Sequence, residues 1–496
     1  MSTVIDRLDG VRSPRRRALL PCRTEKGVNT SAAQSGAAAL RTIVVLAIVA
    51  LIGLIVYLAL AVSSGPLDFA GHGTAPAAGN SGTDPTGVPP QMATASLVAR
   101  GEYLTRAADC EACHTSKGGQ RFAGGRPFVL PFGTLYSPNI TPDAPTGIGN
   151  WSDADFLRAV HRGIAPDGTR LYPAFPYASY TYLSDNDVAA IKAYLFSLAP
   201  VRAVAPANAL AFPFNQRWLM AIWGWMFNPD KRFSASPAMS PQWNRGAYLA
   251  EALEHCGECH TPRNLLQALN HRKKYAGGII EGWRAYNITA DKDSGVGAWS
   301  DTDLVQYLSL GHASGHGSAA GPMGEAVDVS LRYLTPADIE ALTTYVRSVP
   351  AIAATDVPAR LAGPAPASHA QGVTASVDRR GKEIFEGACV SCHAWTGVSP
   401  LNPYATLTGA RALNDPSAMN VVQVLLGGAG RADDPANPLM PSFEAAYSDA
   451  ELAAVANYVV ARFGSQPSNI TAAQVAALRQ QNRTPPVSLQ TKASGS

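Results

Sequence analysis

Apolar residues recur with helical spacing in three well-separated segments of the chain. Each segment begins with a hydroxyl residue that is followed three positions later by an acidic residue, the pattern of a capping box at a helix start. Apolar residues then fall at the i, i+3 and i+7 positions, which gives each helix one apolar face. The caps are Ser184 with Asp187, Thr335 with Asp338, and Ser448 with Glu451; the apolar positions are Val188, Ile191 and Leu195, then Ile339, Leu342 and Val346, then Leu452, Val455 and Val459. The pattern predicts the same helix in three repeats.

A shorter helix is predicted upstream of each of these three, around a glycine that follows an arginine. Because glycine has no side chain, a second helix can approach it closely, and the aromatic or aliphatic residues that follow are expected to pack there. The three segments are Arg100–Leu104, Arg245–Leu249 and Arg380–Ile384. A pair of helices that cross at a glycine in each repeat predicts a mainly α fold.

The first two repeats also share a middle segment, which the third lacks. Residues 139–153 contain Asn-Ile-Thr and end in Trp-Ser-Asp, and residues 287–301 match them. The first two repeats are therefore close duplicates, and the third is shorter and more divergent.

An uninterrupted apolar run occupies residues 42–62, and eight basic side chains precede it. Twenty-one residues at about 1.5 Å each cross a hydrocarbon core of about 30 Å, and basic residues before the run place the N-terminus in the cytoplasm. Residues 59–61 have the small-x-small form of a cleavage site, so a cleaved signal peptide is the alternative. Since the run exceeds the roughly 7–15 residues of a usual signal core, we expect an uncleaved transmembrane helix.

Composition and repeat boundaries divide the chain into nine segments. They are residues 1–41, a cytoplasmic basic segment; 42–62, the transmembrane helix; 63–95, a flexible linker; 96–205, the first repeat; 206–236, an aromatic connector; 237–350, the second repeat; 351–377, a linker; 378–465, the third repeat; and 466–496, a polar tail with one short helix near 472–478. The formal net charge is only +3 and charged residues make up 16%, so nothing predicts a nucleic-acid partner.

Six of the seven cysteines belong to one motif, Cys-x-x-Cys-His, that occurs once in each repeat. Two thiols one helical turn apart can add to the two vinyl groups of one porphyrin, and the adjacent histidine then lies under the iron. A zinc half-site or a thioredoxin-like pair also uses Cys-x-x-Cys, but three copies with the same histidine favour haem. The motif residues are Cys110, Cys113 and His114; Cys256, Cys259 and His260; and Cys389, Cys392 and His393. The sequence therefore predicts three covalent haem c groups with histidine-bound iron.

Two helices that cross at a glycine, with Cys-x-x-Cys-His at the end of the first, resemble the class I cytochrome c fold. That resemblance implies that the sixth ligand of each iron is a methionine beside a proline, between the haem motif and the last helix. Met323 lies 63 residues after His260, and Met440 occupies the corresponding loop of the third repeat. His312 and His316 lie in the same glycine-rich loop as Met323 and compete with it. We therefore predict Met323 and Met440 as iron ligands.

The first repeat departs from this pattern, because it has no methionine between His114 and Met220. Phe175 stands where the repeat predicts the ligand, and a phenyl ring cannot coordinate iron. Three outcomes remain: an open or water-bound site, ligation by His161, or ligation by Met220 or Met226. We expect the helix face that carries His161 to be solvated. Since methionine ligation raises haem potential, the first haem is predicted to have the lowest potential.

The connector holds the apolar, tryptophan-rich stretch of residues 212–227. It is too short to span a bilayer and too apolar all round for an exposed helix. We interpret it as an inter-domain packing helix, with a membrane-interface belt, for which tryptophan is typical, or a docking surface for a partner or a quinone as the alternatives.

These features together resemble the cytochrome c subunit of membrane-bound alcohol and aldehyde dehydrogenase complexes of periplasmic oxidative bacteria. The similarity rests on the three haem motifs, the shared middle segment, the Leu-Tyr-Pro-Ala-x-Pro-Tyr loop at 171–177 and the connector motif at 212–223. It implies three tandem class I cytochrome c domains on the periplasmic side of a bacterial inner membrane. It also implies electron transfer from a separate catalytic subunit to ubiquinone in the membrane.

Phe175 is also where the chain departs from the alcohol dehydrogenase type, which carries the ligand methionine there. The Pro-Ala-Phe-Pro-Tyr version at 173–177 is more similar to cytochromes that accompany molybdopterin hydroxylases with a small iron–sulfur subunit, including aldehyde dehydrogenases. The resemblance thus favours that type of partner, with membrane lipid and ubiquinone as further partners.

Spacing picks out no acid–base group, so we predict no catalytic residues and interpret the chain as an electron relay. Two other functions stay open. An open first haem could perform peroxidase- or reductase-like chemistry, and the chain could be the haem subunit of a terminal oxidase.

Overall fold

The computed structural model describes residues 40–54, 85–354, 379–430 and 440–482. The chain divides into two compact units, residues 1–60 and 61–496. In the first unit, residues 40–54 form a helix whose apolar side chains are exposed. Within the described ranges, no helix is both long enough and apolar enough to cross a membrane. Residues 55–62 of the predicted span lie outside those ranges, and the transmembrane helix stays a prediction.

Helices dominate the second unit, as the sequence predicts. The α-helices are α1 (Leu97–Ala107), α2 (Cys110–His114), α3 (Asp153–Arg162), α4 (Tyr177–Tyr180), α5 (Asp185–Ser197), α6 (Leu219–Phe227), α7 (Pro241–Tyr248), α8 (Gly257–His260), α9 (Asp301–Leu310), α10 (Gly321–Val329), α11 (Pro336–Ser348), α12 (Arg379–Ile384), α13 (Val390–His393), α14 (Met419–Gly427), α15 (Asp449–Phe463) and α16 (Ala472–Asn482). The strands are β1 (Pro127–Leu130), β2 (Gly133–Tyr136), β3 (Ala209–Leu210), β4 (Gly278–Ile280), β5 (Trp283–Ala285), β6 (His312–Ala313) and β7 (Gly317–Ser318).

The three predicted helix crossings are present, and each depends on its glycine. A Cβ atom added to Gly101 in α1 would lie 1.9 Å from the Ala190 carbonyl oxygen in α5. The distance is again 1.9 Å between Gly246 in α7 and Ala341 in α11. Gly381 in α12 meets α15 in the same way, at 2.2 Å. Any side chain at these positions would force the helices apart.

Short antiparallel sheets connect the helices. β1, β2 and β3 form one sheet, with Pro127 opposite Tyr136, and β4 pairs with β5, with Gly278 opposite Ala285. β6 and β7 form a third, two-stranded sheet. The β1–β2 and β4–β5 hairpins occupy the same place in their repeats, between the haem motif and the Asn-Ile-Thr segment. They therefore fix that segment against the motif.

The first and second repeats share one hydrophobic core. Fully buried members include Leu104 and Leu195 from the first repeat and Leu253 and Leu342 from the second. The third repeat has a separate core that is built on α12, α14 and α15, with Phe385 fully buried. The first two repeats therefore pack as one body.

Two tyrosine hydroxyls join the first and second repeats reciprocally. Tyr103 in α1 donates to Asp338 Oδ2 at 2.6 Å, and Tyr248 in α7 donates to Asp187 Oδ2 at 2.5 Å. Both acids are buried, and each belongs to the last helix of the opposite repeat. Arg245 also forms a bidentate ion pair with Asp338, from Nε to Oδ1 at 2.8 Å and from Nη2 to Oδ2 at 2.7 Å. We call this arrangement the Tyr–Asp clasp.

The clasp replaces two of the three predicted capping boxes. The hydroxyls of Ser184 and Thr335 accept from the backbone amides three residues later, so both helices start where predicted. The amide of Ser184, however, donates to the hydroxyl of Tyr248 at 3.2 Å, and Thr335 donates to Tyr103 in the same way. The prediction that Asp187 and Asp338 close the box is therefore wrong, because a tyrosine hydroxyl from the other repeat lies between acid and amide.

In the third repeat the capping box is complete. Ser448 and Glu451 are hydrogen-bonded in both directions at the start of α15. No tyrosine stands at the corresponding place in α12, where Glu383 follows Lys382. With no tyrosine in between, the Glu451 carboxylate accepts from the amide of its own cap, Ser448, at 3.0 Å, so the third repeat keeps the complete capping box.

The third repeat meets the second through polar contacts. Arg284 next to the β4–β5 turn pairs with Asp415 at 3.0 Å. The backbone of Arg284 exchanges two hydrogen bonds with the Asn420 side chain in α14, at 2.8 and 2.9 Å. The Asn420 side chain of α14 therefore binds both backbone polar groups of Arg284 at the edge of the β4–β5 hairpin.

Two predicted segment boundaries differ from the structure. The linker predicted to run to residue 95 is already packed from residue 85, where Arg245 binds the Pro85 carbonyl and the Gly87 amide binds Asp187. At the other end, α16 belongs to the third repeat, because Val475 is fully buried in that core. The helix predicted near 472–478 is present and runs to Asn482.

Candidate haem sites

Each Cys-x-x-Cys-His motif lies on a short helical turn, in α2, α8 and α13. A helical turn brings the two cysteine side chains to one face, as attachment to one porphyrin requires. The six motif cysteines form no disulfide. Among the described residues, no three or more side chains of His, Cys, Asp or Glu converge as a metal cluster.

The three motif histidines are oriented in the same way, towards a main-chain carbonyl. The distances from Nδ1 to oxygen are 2.8 Å for His114 and Pro138, 2.6 Å for His260 and Tyr286, and 2.6 Å for His393 and Ala405. A carbonyl can only accept, so Nδ1 carries the proton and Nε2 keeps its lone pair. This is how histidines that bind metal are usually held.

Sequence reasoning missed these carbonyl partners, although a signal for two of them exists. Pro138 and Tyr286 each come directly before the Asn-Ile-Thr segment that the first two repeats share. Burial lowers the pKa of His114, His260 and His393, and the carbonyl hydrogen bond opposes it only in part. The neutral imidazole, which is the form that ligates metals, is therefore favoured.

A cavity of about 430 Å³ lies beside α2 in the first repeat. Cys110, Cys113 and His114 form part of its wall, and Phe175 and Tyr180 form another part. Most of the remaining wall is aliphatic or aromatic. The volume falls in the range of about 300–1,000 Å³ that is usual for a bound cofactor.

Two charged residues of the cavity wall, Asp167 and Arg217, are exposed to solvent. They therefore lie at the mouth of the cavity. Arg217, from the connector, donates to the Arg170 carbonyl at 2.9 Å and stacks on Tyr172, 4.8 Å from the ring centroid. A mostly apolar interior, with an arginine at the exposed mouth that can pair with a carboxylate, fits an apolar macrocycle that carries carboxylates, so the residues present fit a haem.

Phe175 lies where the repeat predicts the sixth ligand, and it lines the cavity. Its ring packs 5.4 Å from that of Tyr180, centroid to centroid. The Tyr180 hydroxyl is already committed, since it donates to the Ala108 carbonyl at 2.6 Å. No methionine, lysine or second histidine is found among the described residues of this wall.

The expectation that His161 lies on a solvated face is wrong. Its side chain is 1% exposed, and it points away from the cavity towards Asp185, 3.7 Å from Nδ1. Burial is the main cause that lowers the pKa of His161 to about 4. His161 is therefore a neutral buried histidine outside the cavity wall.

Met220 and Met226, the other candidates for the first iron, are not wall residues either. Met220 packs with Tyr177 and Trp223 in a small separate cluster. Phe175 joins the same cluster from its other side. The connector therefore packs against the loop of Phe175 through this cluster.

Met323 and Met440 have different surroundings, and their iron ligation stays a prediction. Met323 lies in the first turn of α10 and packs against the shared core. Met440 exchanges two backbone hydrogen bonds with Ala429, at 3.0 and 2.7 Å, and packs against the core of the third repeat.

The two histidines near Met323 are held by other residues. His316 stacks on Trp299, with ring centroids 3.8 Å apart, and its Nε2 lies 3.3 Å from Asp303. His312 lies 2.9 Å from the Ser318 hydroxyl through Nδ1. These contacts make both weaker competitors for the second iron than their sequence position suggests.

Comparison with known proteins agrees with this geometry. The cytochrome c family model matches residues 98–199 and 379–462, within the first and third repeats. Over 416 residues the chain is 39% identical to the fructose dehydrogenase cytochrome subunit of Gluconobacter japonicus, covering 80% of this chain and 85% of that protein. The chain belongs to the family of dehydrogenase cytochrome c subunits. Membership implies covalent haem c and a role in electron transfer, and it confirms the predicted resemblance.

Other relatives of this cytochrome subunit have different named substrates. The cytochrome c subunit of the quinone alcohol dehydrogenase of Gluconacetobacter polyoxogenes is 34% identical, over 78% of this chain and 85% of that protein. A subunit of the nicotinate dehydrogenase of Pseudomonas putida is 41% identical over 75% of this chain, which spans only 31% of that longer protein. Similarity alone therefore does not select the upstream substrate.

In this cytochrome subunit, α4 of the first repeat connects the wall of the first cavity to the second haem motif. The Tyr180 ring, in the wall of the first cavity, packs edge-to-face on His255, the residue before Cys256, at 5.3 Å. Beside it, Ser179 donates to Glu258 within the second motif at 2.9 Å. Two aromatic rings thus separate the first cavity from the second pair of thiols.

Tyr286 joins the second haem motif to the third repeat. Its carbonyl holds His260, while its hydroxyl donates to Asp415 at 3.3 Å and the Arg411 guanidinium lies 5.7 Å from its ring centroid. The third repeat therefore contacts the residue that orients the second motif histidine.

The connector helix α6 has two different faces. Trp223 is buried, and its indole N–H donates to the Leu266 carbonyl of the second repeat at 2.8 Å. Trp218 and Trp225 are 63% and 83% exposed. The inter-domain packing interpretation is confirmed for the first face, and the second is an exposed aromatic surface.

Proposed function

We propose that this cytochrome subunit relays electrons through three covalently attached haem c groups, one in each repeat. The observation that carries the proposal is the orientation of the three motif histidines, each of which leaves Nε2 free for an iron. Bound haem supplies a one-electron redox centre, and the chain supplies its attachment, orientation and shielding from water.

The motif residues would hold the three haems. Cys110, Cys113 and His114 would hold the first; Cys256, Cys259 and His260 the second; and Cys389, Cys392 and His393 the third. Met323 and Met440 would complete the second and third irons. Both methionines pack against the core of their own repeat, Met323 from the first turn of α10 and Met440 from the segment that pairs with Ala429, which supports this assignment.

Arg217 is a proposed contributor that the sequence did not single out. It is the cationic side chain at the mouth of the first cavity, and the Arg170 carbonyl and the Tyr172 ring hold it there. A guanidinium in this place would pair with a haem propionate.

The contacts between motifs support a relay over three independent centres. The pair Tyr180 and His255 connects the first cavity to the second motif, and Tyr286 connects the second motif to the third repeat. Because the first two repeats share a core, their two sites are held at a fixed separation.

The proposed donor is a separate dehydrogenase subunit, and the proposed acceptor is ubiquinone. The loop of Phe175 supports the aldehyde or molybdopterin type of donor, with a small iron–sulfur subunit, over the alcohol type. We place the protein in the bacterial inner membrane with one span, because residues 42–62 form an apolar run after a basic segment. The exposed tryptophans of α6 suit a surface near lipid.

Two measurements test the proposal. The pyridine haemochrome of the full chain should count three haems, and replacing both cysteines of one motif by alanine should remove one. Purification in mild detergent should recover a dehydrogenase subunit, whose cofactor names the donor type. A count below three, or co-purification with a terminal oxidase instead, would contradict the relay as stated.

A further inference from the structure

We infer that the first haem site has no side chain for the sixth coordination position, and that this position is open to small uncharged ligands such as carbon monoxide or nitric oxide. The inference rests on the proposed function, since it requires a haem on Cys110, Cys113 and His114. It goes further by assigning a ligand-binding role to the space in front of Phe175.

The first step is that the cavity wall offers no strong iron ligand besides His114. Among its described residues there is no methionine, lysine or further histidine. The wall also holds three tyrosines, Tyr136, Tyr172 and Tyr180, and the carboxyl of Asp109, and tyrosine can coordinate iron. Asp109 directly precedes Cys110, and Tyr136 comes two residues before Pro138, whose carbonyl binds His114, so we place both on the histidine side. Tyr180 donates its hydroxyl to the Ala108 carbonyl, however, and Tyr172 donates its own to the Phe214 carbonyl at 3.0 Å.

The second step is that the outside candidates cannot reach in without unfolding their surroundings. His161 is buried behind the wall, with Asp185 3.7 Å from its ring. Met220 is packed against Tyr177 and Trp223. Trp223 is itself anchored by its hydrogen bond to the second repeat at Leu266.

The third step concerns Phe175, which keeps the position from being filled. Its ring is fixed between Tyr180 inside the cavity and the Tyr177 cluster outside. The backbone amide of Phe175 donates to the Tyr172 carbonyl at 3.0 Å, which fixes the turn that carries the ring. The loop therefore presents an apolar ring where the second repeat presents Met323.

The fourth step is the chemistry of the wall, which selects the ligand class. The interior is lined by side chains such as Phe156, Val160 and Leu195 and by one carboxyl, Asp109, whose buried Oδ1 has no hydrogen-bond partner among the described residues, while the exposed Asp167 and Arg217 lie at the mouth. Moving an anion into such an interior is costly unless it finds a partner. A small uncharged diatomic carries no such cost, and the polarity of the distal pocket decides what a haem binds.

The test is carbon monoxide binding to the reduced full-length protein, followed by its absorption spectrum and stoichiometry against the haemochrome count. We expect one equivalent per three haems. Phe175→Met should abolish most of this binding, because it restores a thioether at the ligand position. The reciprocal Met323→Phe should add a second binding haem.

Phe196→Met is the matched control, since Phe196 lies in the same repeat but outside the cavity wall. It should leave the stoichiometry at one. Three haems with no carbon monoxide bound would overturn the inference and leave the relay standing. Binding that survives in a folded Phe175→Met variant would place the open site elsewhere and also overturn it. Fewer than three haems in the wild type would instead count against the proposed function.

Discussion

The first and second repeats are built alike and differ where their irons would be completed. Both cross two helices at a glycine, both hold the motif histidine with the carbonyl before Asn-Ile-Thr, and both bury a last-helix acid in the clasp. At the sixth position the first repeat has Phe175 in a loop, and the second has Met323 in a helix.

This difference shows that the helix crossing and the histidine–carbonyl hydrogen bond do not depend on which residue stands at the sixth-ligand position. The repeat can lose its methionine without losing the helix crossing or the histidine orientation. Haem potential can therefore be set at one residue in each repeat, because methionine ligation raises it. Single substitutions at matched positions should show how far the two repeats are equivalent.

The largest difference in the free energy of unfolding is expected between substitutions of the two clasp acids, Asp338 and Asp187. Asp338→Asn leaves Arg245 buried without its carboxylate, and breaking such a pair costs about 3–5 kcal/mol. Asp187→Asn should cost only about 1 kcal/mol, because an amide oxygen can still accept from Tyr248 and Gly87. Urea unfolding of the two holo-variants measures the difference.

Glu451→Gln is the control for this pair, since its carboxylate closes a solvent-exposed capping box in the third repeat. Its effect on stability should be small. Equal losses for Asp338→Asn and Asp187→Asn would show that Arg245 adds nothing to the clasp.

For the tyrosines the larger loss of stability is expected at Tyr248, the partner of Asp187, and the smaller loss at Tyr103, the partner of Asp338. Tyr248→Phe removes a main hydrogen bond of Asp187 and should cost about 1.5–3 kcal/mol. Tyr103→Phe should cost less, because Arg245 still pairs with Asp338. Thermal melting of both variants decides the order, and a larger loss for Tyr103→Phe would contradict it.

A pH-dependent difference is expected from His161. Its folded pKa of about 4 lies below the unfolded value of 6.5, so the unfolded chain binds the proton more tightly. Stability is then lost as pH falls through that window. His161→Leu should therefore gain about 3 kcal/mol in stability relative to wild type as the pH falls from about 7 to about 4.

The second repeat supplies the matched control for this prediction. Ser309 occupies the equivalent place and bonds to the Val305 carbonyl at 2.6 Å. Ser309→Leu should change stability by the same amount at both pH values. A pH-independent effect of His161→Leu would show that the histidine stays neutral in both states.

The smallest effect is expected for Arg217→Gln. A cation near the first haem disfavours its oxidised, more positive state, so removing it should lower that potential by on the order of tens of millivolts. The other two potentials should not move. Spectroelectrochemistry of the variant tests this, with Lys231→Gln, at an exposed position, as the control. A shift in all three haem potentials would mean that Arg217 acts at long range.

Local rules predicted most of the fold. The caps at Ser184, Thr335 and Ser448 start helices where expected, since a side-chain oxygen and a free amide are neighbours in sequence. The glycines predicted the helix crossings because a residue without a side chain, repeated at the same place in three segments, marks a close approach of a second helix. The haem motifs needed only the spacing of two thiols and an imidazole.

What sequence could not predict depends on contacts between distant residues. Asp187 and Asp338 fit a capping box by spacing, yet a tyrosine from the other repeat occupies the place of the acid. His161 looked solvated because periodicity does not show what packs against a helix, and Arg232 and Asp185 cover it. Of the three histidine-binding carbonyls, those of Pro138 and Tyr286 are marked only by the Asn-Ile-Thr segment that follows them, and that of Ala405 has no such mark.

Potentiometric titration of the full-length three-haem protein, beside its Phe175→Met variant, tests the central claim most directly. The account predicts that the lowest-potential step belongs to the first haem and rises in the variant, while the other two steps stay in place. A lowest step that does not move when Phe175 becomes methionine would contradict it.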